Sequence, residues 1–515
     1  MLLSDGHLRG FSVDNDAHAR FRCVSQGSRD LDVSNLSAEV RAAALGLQAA
    51  RIGPTDRILF QGPQGAEALV LFWAAMLRGA TFATVDQTWP EDLVNRATAA
   101  LRPSMVFAAR DRREAYEALF PETPFVDLTE ADDGAAATSG APRPHAFWAQ
   151  DLAGDLEPIA VDPTTAAAFL FTSGSTGVPK AVALSRAALA RGGQVTLDSF
   201  GWRPGERLVN LPEPHTMSGL RNALVAAPLG GLEWCVVPPN RRRNIFELVE
   251  SLGAARCQRL VTGPVLIRQL VALGERIDPA HLADLKAIYC TGAALNPAAV
   301  ERFHAATGVP ILNYYGLTET GGICISQRLD GWDPGDHSLG RAAGADLRIV
   351  DDAGRPASTG LGELQVRSPQ LMTGYVDDPA ATARRFSQDW LRTGDRVRLD
   401  PDGRAYLIGR EGAFIKTAST DRVAPEELEA VLEDHPAVAD AAVTGVGAGE
   451  EFERIVALVV RRGPGADDDL ALELAAYVRA RLGPARALSE VRFVDAVPRQ
   501  ANGKIIRNSL AGLVE

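Results

Sequence analysis

Short segments typical of β-strands alternate with alanine-rich segments typical of helices over most of the chain. "DRILFQG" and "TFATVD" are predicted strands, and "GAEALVLFWAAMLRGA" between them is predicted to form a helix that ends at Gly79. This alternation favours parallel, doubly wound sheets covered by helices. Ligands of such folds bind beyond the carboxyl ends of the strands, so the segments that follow the strands are the first places to seek a site.

The pattern changes in the last third of the chain. "LRIVDDAGRPASTGLGELQVRS" and "RVRLDPDGRAYLIG" alternate with period two between turn signals, which predicts a small antiparallel β unit. "APEELEAVLEDHPAVADAAVTGVG" then reads as a helix followed by a strand. We therefore predict an α/β fold with a large domain of doubly wound mixed sheets plus the β unit, residues 1–409, and a small mobile α+β domain, residues 410–515.

Length and charge narrow the classes of function. A chain of 515 residues is too long for one compact core. Its 65 acidic and 53 basic residues give a net charge of -12, which disfavours binding to nucleic acid or to an anionic membrane. A basic run, "NRRRN", is interpreted as a solvated loop, with an anion site as the alternative.

Cysteine use and the absence of long apolar runs predict a reduced cytoplasmic protein. The scattered cysteines form no CxxC pair, which disfavours a zinc site or a disulfide framework. The N-terminal segment lacks the features of a signal peptide, and no charge-free apolar run is long enough for a membrane-spanning helix. The cysteines are Cys23, Cys235, Cys257, Cys290 and Cys324.

"TSGSTGVPK", Thr172 to Lys180, follows an apolar strand-like run. Backbone N–H groups and hydroxyls in such a loop bind phosphate oxygens, and Lys180 adds a positive charge. The loop lacks the GK[ST] ending of an ordinary P-loop. The alternative is a mobile surface linker.

Four further segments contain side chains that could bind a nucleotide. "NYYGLTET", residues 313–320, supplies aromatic faces, a hydroxyl and a carboxylate, although a strand-to-helix turn with core tyrosines explains it equally well. "LRTGD", residues 391–395, places an aspartate on a glycine turn, where it could accept both ribose hydroxyls. "GREGAFIK", residues 409–416, lies at the predicted domain boundary. "PRQANGKI", residues 498–505, holds Lys504 after a turn dipeptide; alone, it reads as a solvated lysine.

Taken in order, these segments resemble the core motifs of the adenylate-forming superfamily, which includes acyl- and aryl-CoA synthetases, nonribosomal peptide synthetase adenylation domains and luciferase. The family converts a carboxylic acid and ATP into an acyl-adenylate and pyrophosphate, and the acyl group then usually passes to a thiol. The resemblance therefore implies an acid–thiol ligase that uses ATP and Mg²⁺, with coenzyme A as the expected co-substrate.

The resemblance also implies roles for individual residues. Lys180 is the charged partner of the phosphate loop, Thr318 contacts the α-phosphate, and Glu319 is the Mg²⁺ ligand. Lys504 is the adenylation lysine, whose charge would stabilise the transition state when the small domain closes. The implied ATP-binding residues are Thr172, Ser173, Gly174, Ser175, Thr176, Gly177, Gly292, Ala293, Ala294, Asn313, Tyr314, Tyr315, Asp395 and Arg410.

"LPEPHTMSGL" resembles one wall of the family's acyl pocket. His215 matches a catalytic position beside the substrate carboxylate, and a hydrogen-bonded core histidine is the alternative. Met217 and Ser218 are further substrate-binding candidates. No aspartate stands there to hold a substrate ammonium group, so we expect an aryl or acyl acid rather than an amino acid.

Two departures from the family pattern affect the small domain. Gly412 stands at the hinge position, which is usually Asp or Lys, and glycine widens the accessible backbone conformations. In "KTASTDRVAP", Ser419 replaces a glycine of the loop that normally lines the thiol path. These departures leave open an acyl carrier protein or an amine as acceptor, and a non-catalytic nucleotide-binding regulator is a further alternative.

Overall fold

The structure is a computed structural model, and it describes residues 20–23, 30–31, 33–129, 147, 155–157, 159–172, 179–292, 297–410, 414–417, 422–447, 453–463, 467–499 and 505–514. Its strands are, in chain order, β1 (Arg20–Cys23), β2 (Asp30–Leu31), β3 (Arg57–Gln61), β4 (Thr81–Thr84), β5 (Met105–Ala108), β6 (Phe125–Asp127), β7 (Ala166–Thr172), β8 (Lys180–Ser185), β9 (Arg207–Asn210), β10 (Glu233–Val236), β11 (Arg259–Thr262), β12 (Ala287–Cys290), β13 (Ile311–Tyr315), β14 (Ile325–Ser326), β15 (Arg341–Ala342), β16 (Asp346–Val350), β17 (Pro356–Ala357), β18 (Gly360–Arg367), β19 (Gly374–Tyr375), β20 (Phe386–Ser387), β21 (Trp390–Leu399), β22 (Ala405–Arg410), β23 (Ile415–Lys416), β24 (Arg422–Val423), β25 (Val438–Val446), β26 (Arg454–Arg461) and β27 (Glu490–Phe493).

Helices connect most of the parallel strands. The α-helices span Val33–Ala49, Ala66–Leu77, Glu91–Thr98, Arg113–Leu119, Arg186–Phe200, Ala227–Leu229, Pro239–Arg242, Ile245–Ala254, Pro264–Leu273, Pro297–Thr307, Pro379–Arg385, Pro425–Glu433 and Asp467–Leu482. A π-helix spans Gly219–Ala226, and short 3-10 turns span Arg110–Arg112, Gly274–Arg276, Pro279–Leu282, Thr318–Thr320, Pro484–Arg486, Arg507–Ser509 and Ala511–Leu513.

Two large mixed sheets form the body of the molecule, as the β-α alternation predicts. The nine-stranded sheet has the order β15-β14-β13-β12-β11-β9-β10-β1-β2, and its central strands from β13 to β1 are parallel. The seven-stranded sheet has the order β19-β8-β7-β4-β3-β5-β6, with parallel strands from β7 to β6. Parallel pairing brings the carboxyl ends of β9, β11, β12 and β13 to one edge, where this fold class binds its ligands.

The predicted helix before Gly79 forms, and it ends at Leu77. Ten of its twelve residues are buried, in a core that also takes side chains from both large sheets. A helix that is apolar on all sides has to be enclosed in this way. Gly79 follows with a φ of 71°, a left-handed conformation that glycine adopts without a steric penalty.

A third sheet confirms the predicted antiparallel β unit. Its order is β17-β16-β18-β21-β20, and β22 pairs with β21. The expectation of a glycine turn at 391–395 is only half right, because these residues lie inside β21. Thr393, Gly394 and Asp395 stand between two successive cross-strand pairs, and Gly394 has a φ of 72°. This β-bulge redirects the strand beside Asp395.

A separate set of strands and helices forms the C-terminal part. β25, β26 and β27 form a three-stranded sheet, and two apolar clusters there draw all their residues from the range 415–514. The ion pairs Arg268–Glu433 (3.5 Å) and Arg302–Asp434 (3.7 Å) connect this part to helices of the large sheet. Within the described ranges, no helix combines the length and apolar character needed to cross a membrane.

Candidate active site

The segment 313–322 connects three groups of predicted site residues. It begins in β13, passes through the turn Thr318–Thr320, and ends at two glycines with positive φ. Asn313, Tyr314 and Tyr315 lie within β13 rather than after it, which corrects the predicted strand end. Adjacent residues of a strand point to opposite faces, so Tyr314 and Tyr315 serve different parts of the site.

Tyr315 and Asp395 form the first group. The Tyr315 hydroxyl donates to Asp395 Oδ2 over 2.5 Å, and Arg410 Nε lies 3.6 Å from Asp395 Oδ1. Burial and the charge of Asp395 raise the pKa of Tyr315 well above its usual value, so the hydroxyl keeps its proton. The aromatic ring and the carboxylate therefore stand together, as a flat base and the hydroxyls of its ribose would require.

Glu319 is the centre of the second group. Its side chain is 9 % exposed, and Oε1 accepts a hydrogen bond of 2.7 Å from the Tyr375 hydroxyl. Arg385 Nη2 lies 3.6 Å from the same oxygen. Burial and the neighbouring carboxylate raise the pKa of Tyr375, which therefore remains a donor.

Lys180 joins this group from the seven-stranded sheet. Its Nζ lies 3.0 Å from Asp378 Oδ2 and 5.3 Å from the centre of the Tyr375 ring. β19 pairs with β8 and so places Tyr375 beside the strand that begins with Lys180. Thr172 is the cross-strand partner of Lys180 on β7. The pair marks the two ends of the proposed phosphate loop.

Tyr375, Arg385 and Asp378 were not predicted from the sequence. They follow β18 in the chain. The antiparallel pair β19–β8 brings Tyr375 and Asp378 to Lys180, and Asp378 is 198 residues away from it in sequence, while Arg385 lies beside Glu319. No local spacing signals this contact. The Gly-Tyr step before a turn in "GYVDDP" was the available hint, and it is too short to be specific.

His215 is half-buried, in the segment expected to form one wall of an acyl pocket. Its Nε2 is 3.3 Å from Asp86 Oδ2. Burial lowers the pKa of His215, and the charges of Asp86 and Glu213 oppose that shift only in part. The imidazole is therefore neutral near pH 7, which suits either a substrate contact or the core histidine that was the alternative.

The third group contains Met217, Ser218 and Tyr314. Ser218 Oγ lies 3.0 Å from the Tyr314 hydroxyl, and Met217 is buried. Tyr314, which the family resemblance assigns to ATP, thus lies with the substrate-binding candidates. Its ring is also 5.5 Å from the guanidinium of Arg221, a residue that sequence reasoning missed.

The basic run 240–244 is only in part the solvated loop that was expected: Asn240, Arg243 and Asn244 are exposed, whereas the Arg242 side chain is largely buried. Arg242 belongs to the helix Pro239–Arg242, and its Nη1 donates to Glu213 Oε1 over 2.5 Å. The backbone N–H of Gln64 donates to the second oxygen of the same carboxylate. A salt bridge therefore connects this arginine to Glu213 of the segment 211–220, while its Nη2 is buried without a hydrogen-bond partner among the described residues.

The structure also describes three remaining predicted site residues, Asn313, Thr318 and Gly292. The backbone of Asn313 is bonded to Gln327, Thr318 opens its 3-10 turn, and Gly292 follows β12 with a φ of 100°. Further predicted residues lie outside the described part of the chain: Ser173, Gly174, Ser175, Thr176, Gly177, Ala293, Ala294, Gly412, Ser419 and Lys504.

The residues around Glu319 fit a magnesium ion. Mg²⁺ is usually bound through one or two carboxylates together with substrate phosphates, rather than by a full protein cage. Both described contacts of Glu319 reach Oε1, which leaves Oε2 for a cation. Among the described residues there is no cluster of three metal-ligating side chains.

Comparison with known families gives two matches. The model of the AMP-binding enzyme family matches residues 11–376, and that of the AMP-binding enzyme C-terminal domain matches residues 427–504. Sulfoacetate–CoA ligase of Cupriavidus necator is 32 % identical over 365 residues, 70 % of this chain and 69 % of that protein. Indoleacetate–CoA ligase of Aromatoleum aromaticum is 29 % identical over 497 residues, 94 % of each chain.

Solved structures share the architecture. ATP-bound MatB from Rhodopseudomonas palustris superposes with a TM-score of 0.86, covers 98 % of both chains and is 23 % identical. A benzoate CoA ligase from Burkholderia xenovorans LB400 superposes with a TM-score of 0.84 at 22 % identity, again over 98 % of both chains. These likenesses establish the fold.

Proposed function

The chain belongs to the AMP-binding enzyme family, and we propose that it catalyses the ATP-dependent adenylation of a carboxylic acid followed by acyl transfer to coenzyme A. In the first step a carboxylate oxygen attacks the α-phosphorus of ATP, so that an acyl-adenylate forms and pyrophosphate leaves. In the second step the thiol sulfur attacks the acyl carbon, so that a thioester forms and AMP and a proton leave.

The observation that carries the proposal is the convergence of three groups on the segment 313–322. Tyr315 and Asp395 supply an aromatic face and a carboxylate for the nucleoside. Glu319 and Lys180, connected through Tyr375, supply opposite charges for a metal ion and a polyphosphate. Charge neutralisation and orientation are the contributions that phosphoryl chemistry needs most.

Several further assignments are proposals that rest on the family. Magnesium bound at Glu319 would neutralise charge on the triphosphate. Residues 173–177 would bind phosphate, Ala293 and Ala294 would line the adenine pocket, and Lys504 would approach the reacting carboxylate. Gly412 would be the hinge between a large domain, residues 1–409, and a mobile small domain, residues 410–515. We also place the protein in the cytoplasm.

Coenzyme A is the proposed acceptor because relatives that match over most of this chain are named as CoA ligases, including those acting on 4-coumarate and 3-hydroxybenzoate. Others at similar identity are named as carrier-protein ligases, for L-proline and for fatty acid. Both acceptors present a pantetheine thiol. Adding free coenzyme A therefore separates them, because a carrier-dependent enzyme would leave it unacylated.

Acid-dependent exchange of labelled pyrophosphate into ATP tests the first step, and chromatography for acyl-CoA tests the second. We expect exchange with aryl or acyl acids, and Lys504→Ala should abolish it while ATP binding is retained. Lys286→Ala, at the opposite end of the large sheet, is the control and should retain exchange. Exchange that needs no acid, or that survives in Lys504→Ala, would contradict the proposal.

A further inference from the structure

Arg221 is fully buried next to the segment 211–220, the proposed acyl-pocket wall, without an acidic partner among the described residues. Its exposed fraction is 0 %, and it lies in the π-helix Gly219–Ala226. π-Helical turns are rare and occur frequently at functional sites. An arginine side chain does not lose its proton in proteins, so a full positive charge is enclosed here.

Neutral groups surround this guanidinium. Nε and Nη2 both donate to Asn222 Oδ1, over 3.0 Å and 2.8 Å, and Nη1 donates to the Gly321 carbonyl over 3.3 Å. The groups that act on its charge are Tyr314 and Cys324. Burial raises the pKa of both, to about 12 for Cys324, so neither carries a negative charge at neutral pH.

Within the described part of the chain, the neighbouring elements add no carboxylate. A methyl group built on Gly322 would lie 2.4 Å from Arg221 Nη1 and 2.4 Å from Met217 Cγ, so these two side chains meet at that glycine. Gly192, on the helix Arg186–Phe200, faces Arg221 Cδ from another side. An unpaired buried charge is unfavourable, and an anion bound at this position would supply the counter-charge that the described protein does not.

The hydrogen-bond partners of Arg221 are neutral groups. A guanidinium has five N–H donors, and hydrogen bonds to Asn222 and Gly321 use three of them, one on each nitrogen. The Tyr314 side chain is a further hydrogen-bond partner of this guanidinium. All of these partners are neutral, so the positive charge has no counter-charge among the described residues, and an arginine favours carboxylate or sulfonate oxygens in that role.

We infer that Arg221 binds a second anionic group, a carboxylate or sulfonate, carried by the acid that this enzyme adenylates, an inference that rests on the proposed function. The location fits, because Arg221 meets Met217 and is linked through Tyr314 to Ser218 at the acyl-pocket wall. The substrate class is then a dicarboxylic or sulfocarboxylic acid, whose reacting carboxylate points toward the nucleotide.

Pyrophosphate exchange with matched pairs of acids tests this inference on the unmodified enzyme. Each pair joins an acid with a second anionic group, the anionic member, to a monocarboxylic acid with an uncharged alkyl group of similar shape in its place, the uncharged member. The pairs are sulfoacetate with 3,3-dimethylbutanoate, succinate with 4-methylpentanoate, and terephthalate with 4-isopropylbenzoate. We expect kcat/KM to favour the anionic member by at least about 100-fold in one pair or more, because a site built for a polar group rejects analogues that lack it.

Substitution then assigns the preference to the residue. Arg221→Gln should lower kcat/KM for the preferred anionic acid about 100-fold and change that for its uncharged counterpart by less than about threefold. Arg186→Gln is the matched control, because Arg186 is also buried, contacts Ala80 O and Thr165 Oγ1, and lies away from the site. It should leave the ratio within each pair unchanged.

The outcomes separate the two proposals. Exchange that favours the uncharged member of every pair, or an equal loss for both members in Arg221→Gln, would overturn this inference and leave adenylation intact. If none of these acids supports pyrophosphate exchange, both the proposed function and this inference are contradicted. The comparison of acids on the unmodified enzyme does not depend on the variant's folding.

Discussion

The two ends of the nine-stranded sheet each hold a buried arginine, and their surroundings differ. At the amino end, Arg259 opens β11 and donates to both oxygens of Glu206, over 3.0 Å and 2.9 Å. Lys286 and the backbone of Arg203 bind the same carboxylate. Burial alone would lower the pKa of Arg259, but Glu206 and Tyr289 together outweigh it and the pKa is raised.

At the carboxyl end, Arg221 has amide and carbonyl oxygens as acceptors but no carboxylate in the described part of the chain. Burial lowers its pKa from the usual value. At the amino end, the positive charge of Arg259 is paired with the carboxylate of Glu206, as in a structural ion pair. At the carboxyl end, the positive charge of Arg221 has no counter-charge among the described residues. The difference indicates that stability resides at one end of the sheet and ligand binding at the other.

The largest effect should follow removal of the charge at the amino end. Glu206→Gln leaves Arg259 and Lys286 close together without a counter-charge, and we expect a loss of about 3–5 kcal/mol in the free energy of unfolding. Denaturant unfolding followed by tryptophan fluorescence measures it. The exposed Glu301→Gln is the control, with an effect within about 0.5 kcal/mol. If Glu206→Gln kept its stability but lost exchange activity, the amino end would serve function rather than stability, which would contradict the comparison.

Glu319→Gln at the carboxyl end should lower activity and leave stability unchanged. It keeps the volume of the side chain but removes the carboxylate proposed to bind magnesium, so adenylation should fall about 10²–10³-fold. The unfolding midpoint should stay close to that of the unmodified enzyme, because the amide oxygen still accepts from Tyr375. Exchange kinetics over a range of Mg²⁺ concentrations measure the effect, and full activity would remove Glu319 from the mechanism.

Arg221→Met should leave stability unchanged or raise it by about 1 kcal/mol, because an apolar side chain relieves the desolvation of an unpaired charge. Arg259→Met is the matched substitution at the other end, and it should destabilise the protein. Thermal melts without substrate compare the two variants. An equal decrease in the melting temperature of both variants would mean that Arg221 stabilises the fold as much as Arg259 does.

The smallest effect concerns pH. The pKa of His215 is lowered by burial, so below its ordinary value of 6.5 the unfolded chain takes up a proton that the folded protein does not. Stability therefore falls as the pH decreases through that range, and His215→Gln should remove this part of the loss. Melting temperatures from pH 7.5 to 5.5 measure it. A difference between the two proteins that does not vary with pH would contradict the prediction.

Local sequence predicted the sheets because their signal, alternating apolar strands and helices, is itself local. Motif chemistry likewise predicted that Tyr315, Glu319 and Asp395 belong together, and the structure places Tyr315 on Asp395. Tyr375 escaped prediction because its hydrogen bond to Glu319 joins residues 56 positions apart through the pair β19–β8. That pairing is set by tertiary structure.

Arg221 escaped prediction for a different reason. In "GLRNALVA" a single arginine within an apolar helical segment reads as a side chain that extends its charge to solvent, as long basic side chains usually do. Tertiary packing, including that of Tyr314 and Gly321 against the guanidinium, encloses the charge. Whether a buried charge has a partner is a property of the whole fold, which no sequence window contains.

A crystal structure with Mg²⁺ and an acyl-sulfamoyl adenosine, made from the acid preferred in the exchange assay, tests the division between the two ends most directly. We predict adenine against Tyr315, ribose hydroxyls at Asp395, and the second anionic group beside the guanidinium of Arg221. A nucleotide bound at the amino end beside Glu206, with Arg221 still lacking an anion, would contradict it.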